Sequence, residues 1–398
     1  MGKVKLEHIL DCCPIVKTDI VRAENTHLFS SMGEEFIDFE SGIWCTALGH
    51  SHPRINRVMI EQMKKVVHVH YKLTCDTAEV LAVKLLNLLG FQDGKAVFLS
   101  SGSEAVELAI RLSKLISTKS KLLTFSNSYL SAYSNTSFPR DKNLWTQIDF
   151  LKCSNCVKKD CTKECHVLKN IEFDDIATFI LESGNSGGRV LLPPYKLVKF
   201  LALEVKKYGG TIVANEVTTG FGRTGKWFGF NHYDIQPDII ALGKALGNGY
   251  PISAVVMGKD ISDRVEEKNF AYAQSHQNDP LGCVIANEVI NIFEEDNMID
   301  RSREIGEFFF HQLKKVQSSI SIVSEVRGRG PMLAMDLSIS NVTEIILEKM
   351  LKKGFFIGTT PVSNSLRFYP ALTISKSDIL GMCTTLIEVL KEIEDQNI

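Results

Sequence analysis

The chain has 398 residues, 44% of them hydrophobic, with 45 lysines and arginines against 47 aspartates and glutamates. A net charge of −2 gives neither nucleic acid nor an anionic membrane surface an electrostatic reason to bind. No apolar run reaches the roughly 20 residues of a membrane-spanning helix, no repeat or low-complexity linker interrupts the chain, and its length suits two domains or one large one.

The first residues, MGKVKLEHILDCCP, hold no apolar stretch of signal-peptide length, and Leu6 stands where a myristoylation signal carries Ser or Thr. The expected compartment is therefore the cytoplasm, where thiols stay reduced. Short apolar runs at 96–99, 122–125, 178–181, 211–214, 238–241 and 254–257 mostly end at polar or glycine residues, as buried strands do. Helical stretches such as 105–115 and 194–207 lie between most of them. The pattern predicts an α/β fold whose large domain has a mostly parallel sheet covered by helices on both faces.

Directly after the first of these strands stands Ser100-Ser101-Gly102-Ser103-Glu104-Ala105. Ser101 and Glu104 have the spacing of a capping box, Gly102 lets backbone approach an anion, and a helix start carries partial positive charge. Capped helices are common, so this pattern alone leaves an anion site and a plain helix start both open.

Between 151 and 168 the chain turns polar and lysine-rich, and it gathers Cys153, Cys156, Cys161, Cys165 and His166. Four thiols and an imidazole at this spacing let one short loop wrap a tetrahedral ion, with the fourth position going to Cys165 or His166. Structural zinc is the expected occupant; an iron–sulfur cluster and reactive thiols remain alternatives. The scattered Cys45, Cys75, Cys283 and Cys383 read instead as buried free thiols.

The run 211–214 stops abruptly at Asn215-Glu216, which predicts a buried strand delivering polar side chains to the carboxyl edge of the sheet. Further on, Lys244 sits between an apolar strand and the tight turn Gly247-Asn248-Gly249-Tyr250-Pro251. Lysine is rarely buried, yet between two such elements it points inward. Desolvation lowers the pKa of an amine, which equips it as a Schiff-base nucleophile or a general base near neutral pH.

Taken together, Asn215-Glu216-Val217, the glycine-rich stretch 220–225, Pro237-Asp238-Ile239, Lys244 and the turn 247–251 resemble the signature of class III aminotransferases. The similarity extends from Gly42 and Gly49-His50-Ser51-His52-Pro53 to Arg327-Gly328-Arg329-Gly330 and Leu366-Arg367-Phe368-Tyr369-Pro370. The resemblance implies the aspartate-aminotransferase fold (fold type I). A small α+β domain would then be built from residues 1–58 and 300–398, around a large cofactor domain at 59–299 that carries the cysteine-rich insertion.

It also implies pyridoxal 5′-phosphate, held as a Schiff base by Lys244, which then moves a proton on the substrate. Ser101, Gly102 and Ser103 would hold the phosphate, and Tyr129 would stack on the ring, although Leu130-Ser131 follows it where the family has His-Gly. Thr218 stands at the family's glutamine, and Ser275 at a phosphate-binding threonine supplied by a neighbouring subunit, which implies a homodimer with shared active sites. Arg367 would bind a substrate carboxylate through its planar fork. Glu182 would neutralise that arginine while an amine donor is bound, though Ser183 replaces the family proline beside it. The implied reaction moves an amino group from an amine or ω-amino acid to an oxo acid such as 2-oxoglutarate, with Lys244, Asn215 and Glu182 as the catalytic set.

At position 215 the family has an aspartate that keeps the pyridine nitrogen protonated; a neutral amide supplies no compensating charge. Two alternatives follow from Asn215: a pyridoxal-phosphate racemase or epimerase, and a cofactor-binding protein of low turnover.

Overall fold

The computed structural model describes residues 8–396 apart from 11, 13, 14, 154, 155, 186, 361 and 362. Leu6, Cys13 and the Ser154-Asn155 spacer of the thiol loop lie outside the described residues. The chain opens with β1 (Ile20–Glu24), β2 (His27–Ser30), β3 (Glu35–Asp38), the short turn α1 (Ser41–Trp44), α2 (Pro53–Met63) and α3 (Asp76–Leu89). The central part contains β4 (Lys95–Leu99), α4 (Gly102–Leu115), β5 (Lys121–Phe125), β6 (Trp145–Ile148), β7 (Ile176–Glu182), α5 (Tyr195–Lys207), β8 (Thr211–Asn215), β9 (Ile239–Leu242), β10 (Ser253–Met257), α6 (Lys259–Glu267) and α7 (Pro280–Glu295). The chain closes with α8 (Met298–Ser319), β11 (Val323–Arg329), β12 (Met332–Leu337), α9 (Thr343–Lys352), β13 (Phe355–Phe356), β14 (Gly358–Thr360), β15 (Ser365–Phe368) and α10 (Lys376–Gln396).

The central sheet has seven strands in the order β4-β10-β9-β8-β7-β5-β6. Strands β6, β5, β7, β8 and β9 run parallel, and β10 is antiparallel to both of its neighbours. All six apolar runs read as strands are strands; β6 was not anticipated, because Trp-Thr-Gln-Ile is too short and too polar to stand out from its surroundings.

Period-2 alternation explains why β7 and β8 are buried along their whole length. Phe179, Leu181, Ile212 and Ala214 face the core that takes Leu197, Val198, Leu201 and Val205 of α5. Ile180 and Val213, one step along, face the opposite core with Val106, Ala109, Ile110 and Leu112 of α4. Helix α4 starts where expected, since Ser101 accepts from the Glu104 amide and Glu104 accepts from the Ser101 amide, closing the capping box.

The two ends of the chain meet in a separate apolar core that combines Phe39 with residues from Ile305 to Ile393. There β13 pairs in parallel with β3, while β11, β12, β15 and β14 form an antiparallel sheet. Among the described residues, no helix is long and apolar enough to cross a membrane.

Candidate active site

The carboxyl ends of parallel strands leave unpaired backbone and are where α/β sheets bind ligands. Here Glu182 ends β7 and Asn215 ends β8, opposite one another in the ladder, and Lys244 follows two residues after β9. The Lys244 backbone lies in the left-handed region, φ 46°. For a side chain with a Cβ this conformation is strained, and such strain persists where packing over-determines it.

The Lys244 amine donates to Thr218 Oγ1 at 3.0 Å and stands 4.5 Å above the Trp44 ring. Burial lowers its pKa to about 8, with Cys45 and Glu182 opposing the shift and Arg367 adding to it. The arginine's influence fits its place over the same Trp44 ring, at 5.3 Å.

Asn215 is held by its backbone surroundings: its Nδ2 donates to the Tyr129 carbonyl at 3.1 Å and its Oδ1 accepts from the Val217 amide at 3.2 Å. The Tyr129 amide in turn donates to Glu182 Oε2 at 2.9 Å, so the Tyr129 backbone ties the ends of β7 and β8 together. The Tyr129 side chain is 42% exposed and is not a core residue.

Gly102, at the start of α4, fits closely against Val217: a Cβ there would fall 2.5 Å from Val217 Cγ1. Ser103 Oγ accepts from the Ala132 amide. Ser275 is exposed, next to Gln274, whose amide donates to Ser100 Oγ and Glu104 Oε1 at the head of α4.

Glu216 has a different task from Asn215. It is fully buried and accepts four bonds: from the Gly229 amide (2.7 Å), the Phe230 amide (2.8 Å), Thr219 Oγ1 (2.7 Å) and Ser183 Oγ (3.1 Å). Burial still raises its pKa, the four donors opposing. The Ser183 hydroxyl that replaces the family proline therefore serves this carboxylate.

Arg367 departs from the arrangement expected of it. The carboxylate in its fork is Glu40, with Nε at 3.2 Å from both oxygens and Nη2 at 2.9 Å from Oε2, whereas Glu182 accepts from Tyr129. Arg140 was also missed: it is 5% exposed, donates to the Thr136 and Ser128 carbonyls, and has its pKa lowered to about 10 by burial against the pull of Glu182. A charged residue inside the apolar stretch Phe39-Glu40-Ser41-Gly42-Ile43-Trp44 was a usable local signal for Glu40; Arg140 offered none.

A family model for class III aminotransferases matches residues 13–390 of the chain. The chain belongs to the class III aminotransferases. It is 28% identical over 368 residues to an acetylornithine/succinyldiaminopimelate aminotransferase of Buchnera aphidicola, covering 90% of each protein. It is 27% identical to a probable gamma-aminobutyrate transaminase 2, mitochondrial, of Oryza sativa, covering 98% of this chain and 86% of that one. The fold matches an S-selective transaminase from Bacillus megaterium with a TM-score of 0.88 at 22% identity, over 98% and 97% of the two chains. These relatives favour an aminotransferase over the racemase alternative.

Class III aminotransferases use pyridoxal phosphate, and the donor set of this chain suits that group. A lysine amine with a pKa near 8 can react with an aldehyde, the capped α4 turns its first backbone N–H groups and the positive end of its dipole toward the sheet edge, and an amide stands at that edge.

The thiols of the inserted loop lie near one another. Burial raises the pKa of Cys153 to about 11, with the thiols of Cys165, Cys161 and Cys156 adding to the shift, and Lys196 Nζ stands 3.5 Å from Cys156 Sγ. Cys165 Sγ is 3.9 Å from His166 Nδ1. Among the described residues, the three potential ligands whose donor atoms lie within 4.8 Å of one another are not these but His68, His276 and Asp279. Of the scattered cysteines, Cys283 and Cys383 are buried as expected, whereas Cys45 and Cys75 are only half-buried.

Proposed function

We propose that this aminotransferase takes its amino group from an amine or ω-amino acid and passes it to an oxo acid such as 2-oxoglutarate, with Lys244 as the residue that carries the cofactor and moves the proton. The observation that supports the donor class is the ion pair between Arg367 and Glu40, which leaves the guanidinium satisfied without a substrate carboxylate. Gamma-aminobutyrate, named for one relative, has its amine remote from its carboxylate. Pyridoxal phosphate, when bound, supplies a reactive aldehyde and an electron-withdrawing ring. On the protein side, Ser101, Gly102 and Ser103 would cradle the phosphate, Tyr129 would cover the ring and Thr218 would meet its phenolic oxygen. Asn215 would face the ring nitrogen, Ser275 would reach the partner's phosphate in a homodimer, and Arg367 would receive the oxo acid's carboxylate. Residues 59–299 would form the large domain, 1–58 and 300–398 the small one, and the enzyme would work in the cytoplasm. A screen of monoamines, ω-amino acids and α-amino acids against 2-oxoglutarate and pyruvate tests the donor class; turnover confined to α-amino acids would overturn it.

Asn215 sets the strength of the ring as an electron sink. The amide donates to Tyr129 and offers the ring nitrogen no negative charge. Asn215→Asp is expected to raise the nitrogen's pKa and to speed single-turnover loss of the substrate α-proton by about tenfold, the equivalent of one pKa unit. Ring-nitrogen protonation and single-turnover rates, compared between the two proteins, check this; identical protonation states would sink it.

The inserted loop has the residues for structural zinc, with Cys153, Cys156 and Cys161 joined by Cys165 or His166. A closed four-ligand site leaves no open coordination position, so its task would be to hold the loop. Protein purified without chelator is expected to carry about one zinc per subunit. Elemental analysis finding no metal would remove the proposal.

A further inference from the structure

A side chain that fills a substrate's place must be held there at some cost, and Glu40 carries the marks of such a side chain. It is buried at 3% exposure, and it leads into a turn in which Ser41, Gly42, Ile43 and Trp44 all take positive φ, between 42° and 67°. Three of these four are not glycine, and strained backbone of this kind clusters at active sites and ligand clamps. Asp38 fixes the turn: Oδ1 accepts from the Glu40 amide at 2.8 Å, Oδ2 accepts from the Gly42 amide at 3.0 Å, and His50 Nε2 stands 2.9 Å from Oδ2. From the other side β14 comes so close that a Cβ at Gly358 would collide with Glu40 Oε1 and Arg367 Cγ. The same turn places the Trp44 ring within 4.5 Å of the Lys244 amine and 5.3 Å of the Arg367 guanidinium.

The consequence is competition for one guanidinium. A substrate carboxylate that enters the Arg367 fork must displace a carboxylate from the protein itself, whereas an amine with no carboxylate near its reacting carbon leaves the pair intact. On the reading that Arg367 is the carboxylate site, we infer that Glu40 is an intramolecular competitor for it and a specificity residue. Glu40 disfavours α-amino acids as donors and raises the concentration of oxo acid needed in the second half-reaction. Charged pairs of this forked geometry are among the stronger hydrogen-bonded contacts, so their exchange is large enough to measure.

The test uses the holoenzyme and reads each half-reaction separately. Glu40→Gln is expected to lower the KM for 2-oxoglutarate by about tenfold, to tighten glutarate, a dicarboxylate with no reacting carbonyl, by a similar factor, and to improve L-glutamate as a donor. The constants for a simple monoamine should move far less than those for the carboxylates. Glu40→Asp, which keeps the charge and withdraws it by one methylene, should fall between and guards against a folding defect in the amide variant. Equal shifts for monoamine and carboxylates, or none for either, would overturn the inference. Arg367→Lys separates the two readings. If it weakens glutarate and 2-oxoglutarate while Glu40→Gln changes neither, Arg367 is the carboxylate site and the competitor role alone fails; if Arg367→Lys leaves both unchanged, the reading of Arg367 fails and the inference with it.

Discussion

Lys244→Ala is expected to abolish transamination, with single-turnover rates falling about 10⁴-fold or more, because on the proposed reading one side chain would supply both the covalent attachment and the proton carrier. In the unmodified protein, borohydride reduction and peptide mapping should place the cofactor on Lys244; a label on another lysine would refute the assignment. The amine's pKa of about 8 has its own signature. Burial disfavours the charged form, so at pH 8 roughly half of the amine is neutral, against roughly 0.3% for a lysine at 10.5. Capture of pyridoxal phosphate by the cofactor-free protein should therefore rise through about pH 8 and level off, where an ordinary lysine would keep gaining rate to about 10.5. The same shift fixes the sign of the linkage. With the folded value below the unfolded one, the amine costs stability below about pH 8, and that cost fades as pH rises toward 10.5.

Glu216→Ala has the largest expected effect on stability. The side chain accepts four bonds from the loops around Ser183, Thr219 and Gly229-Phe230, all in the interior. Truncation leaves those donors without an acceptor and opens a cavity beneath the active-site edge, which costs about 3–5 kcal/mol. Glu216→Gln keeps one oxygen acceptor and most of the volume, but whichever way it lies its NH2 faces the Gly229 or the Phe230 amide, a donor that cannot turn, so its loss should be smaller than that of Ala without being negligible. Denaturant midpoints of the three proteins give the comparison. Equal losses for Ala and Gln would show that the site requires both carboxylate oxygens as acceptors, and that filling the volume alone contributes little. Thr218 and Asn215 flank Glu216, so the destabilised variant should also bind pyridoxal phosphate more weakly.

Local pattern made much of this protein legible. The runs that became β7, β8 and β9 read as buried strands because their apolar residues are consecutive and do not alternate with polar ones, as in a sheet covered on both faces. The start of α4 was written in the Ser101–Glu104 spacing, which is a contact between residues three apart. Lys244 could be picked out because an apolar strand and a glycine turn flank it, although the groups at its amine, Trp44 and Thr218, come from elsewhere in the chain. The partners of Arg367 and Asn215 were beyond that reach. Glu40 and Arg367 are 327 residues apart and meet where the end of β15 runs beside the end of β3, the Tyr369 amide donating to the Phe39 carbonyl, as the two ends of the chain share one core. The bond from Asn215 to the Tyr129 carbonyl is made by backbone whose position depends on how the loop after β5 lies across the sheet edge. The α/β architecture, the inward-facing lysine after β9 and the capped start of α4 were legible along the chain, because each rests on sequence neighbours. Tertiary structure alone decided which carboxylate holds Arg367 and what the Glu216 carboxylate serves, because ion pairs and buried acceptors are set by which strand ends the fold brings together.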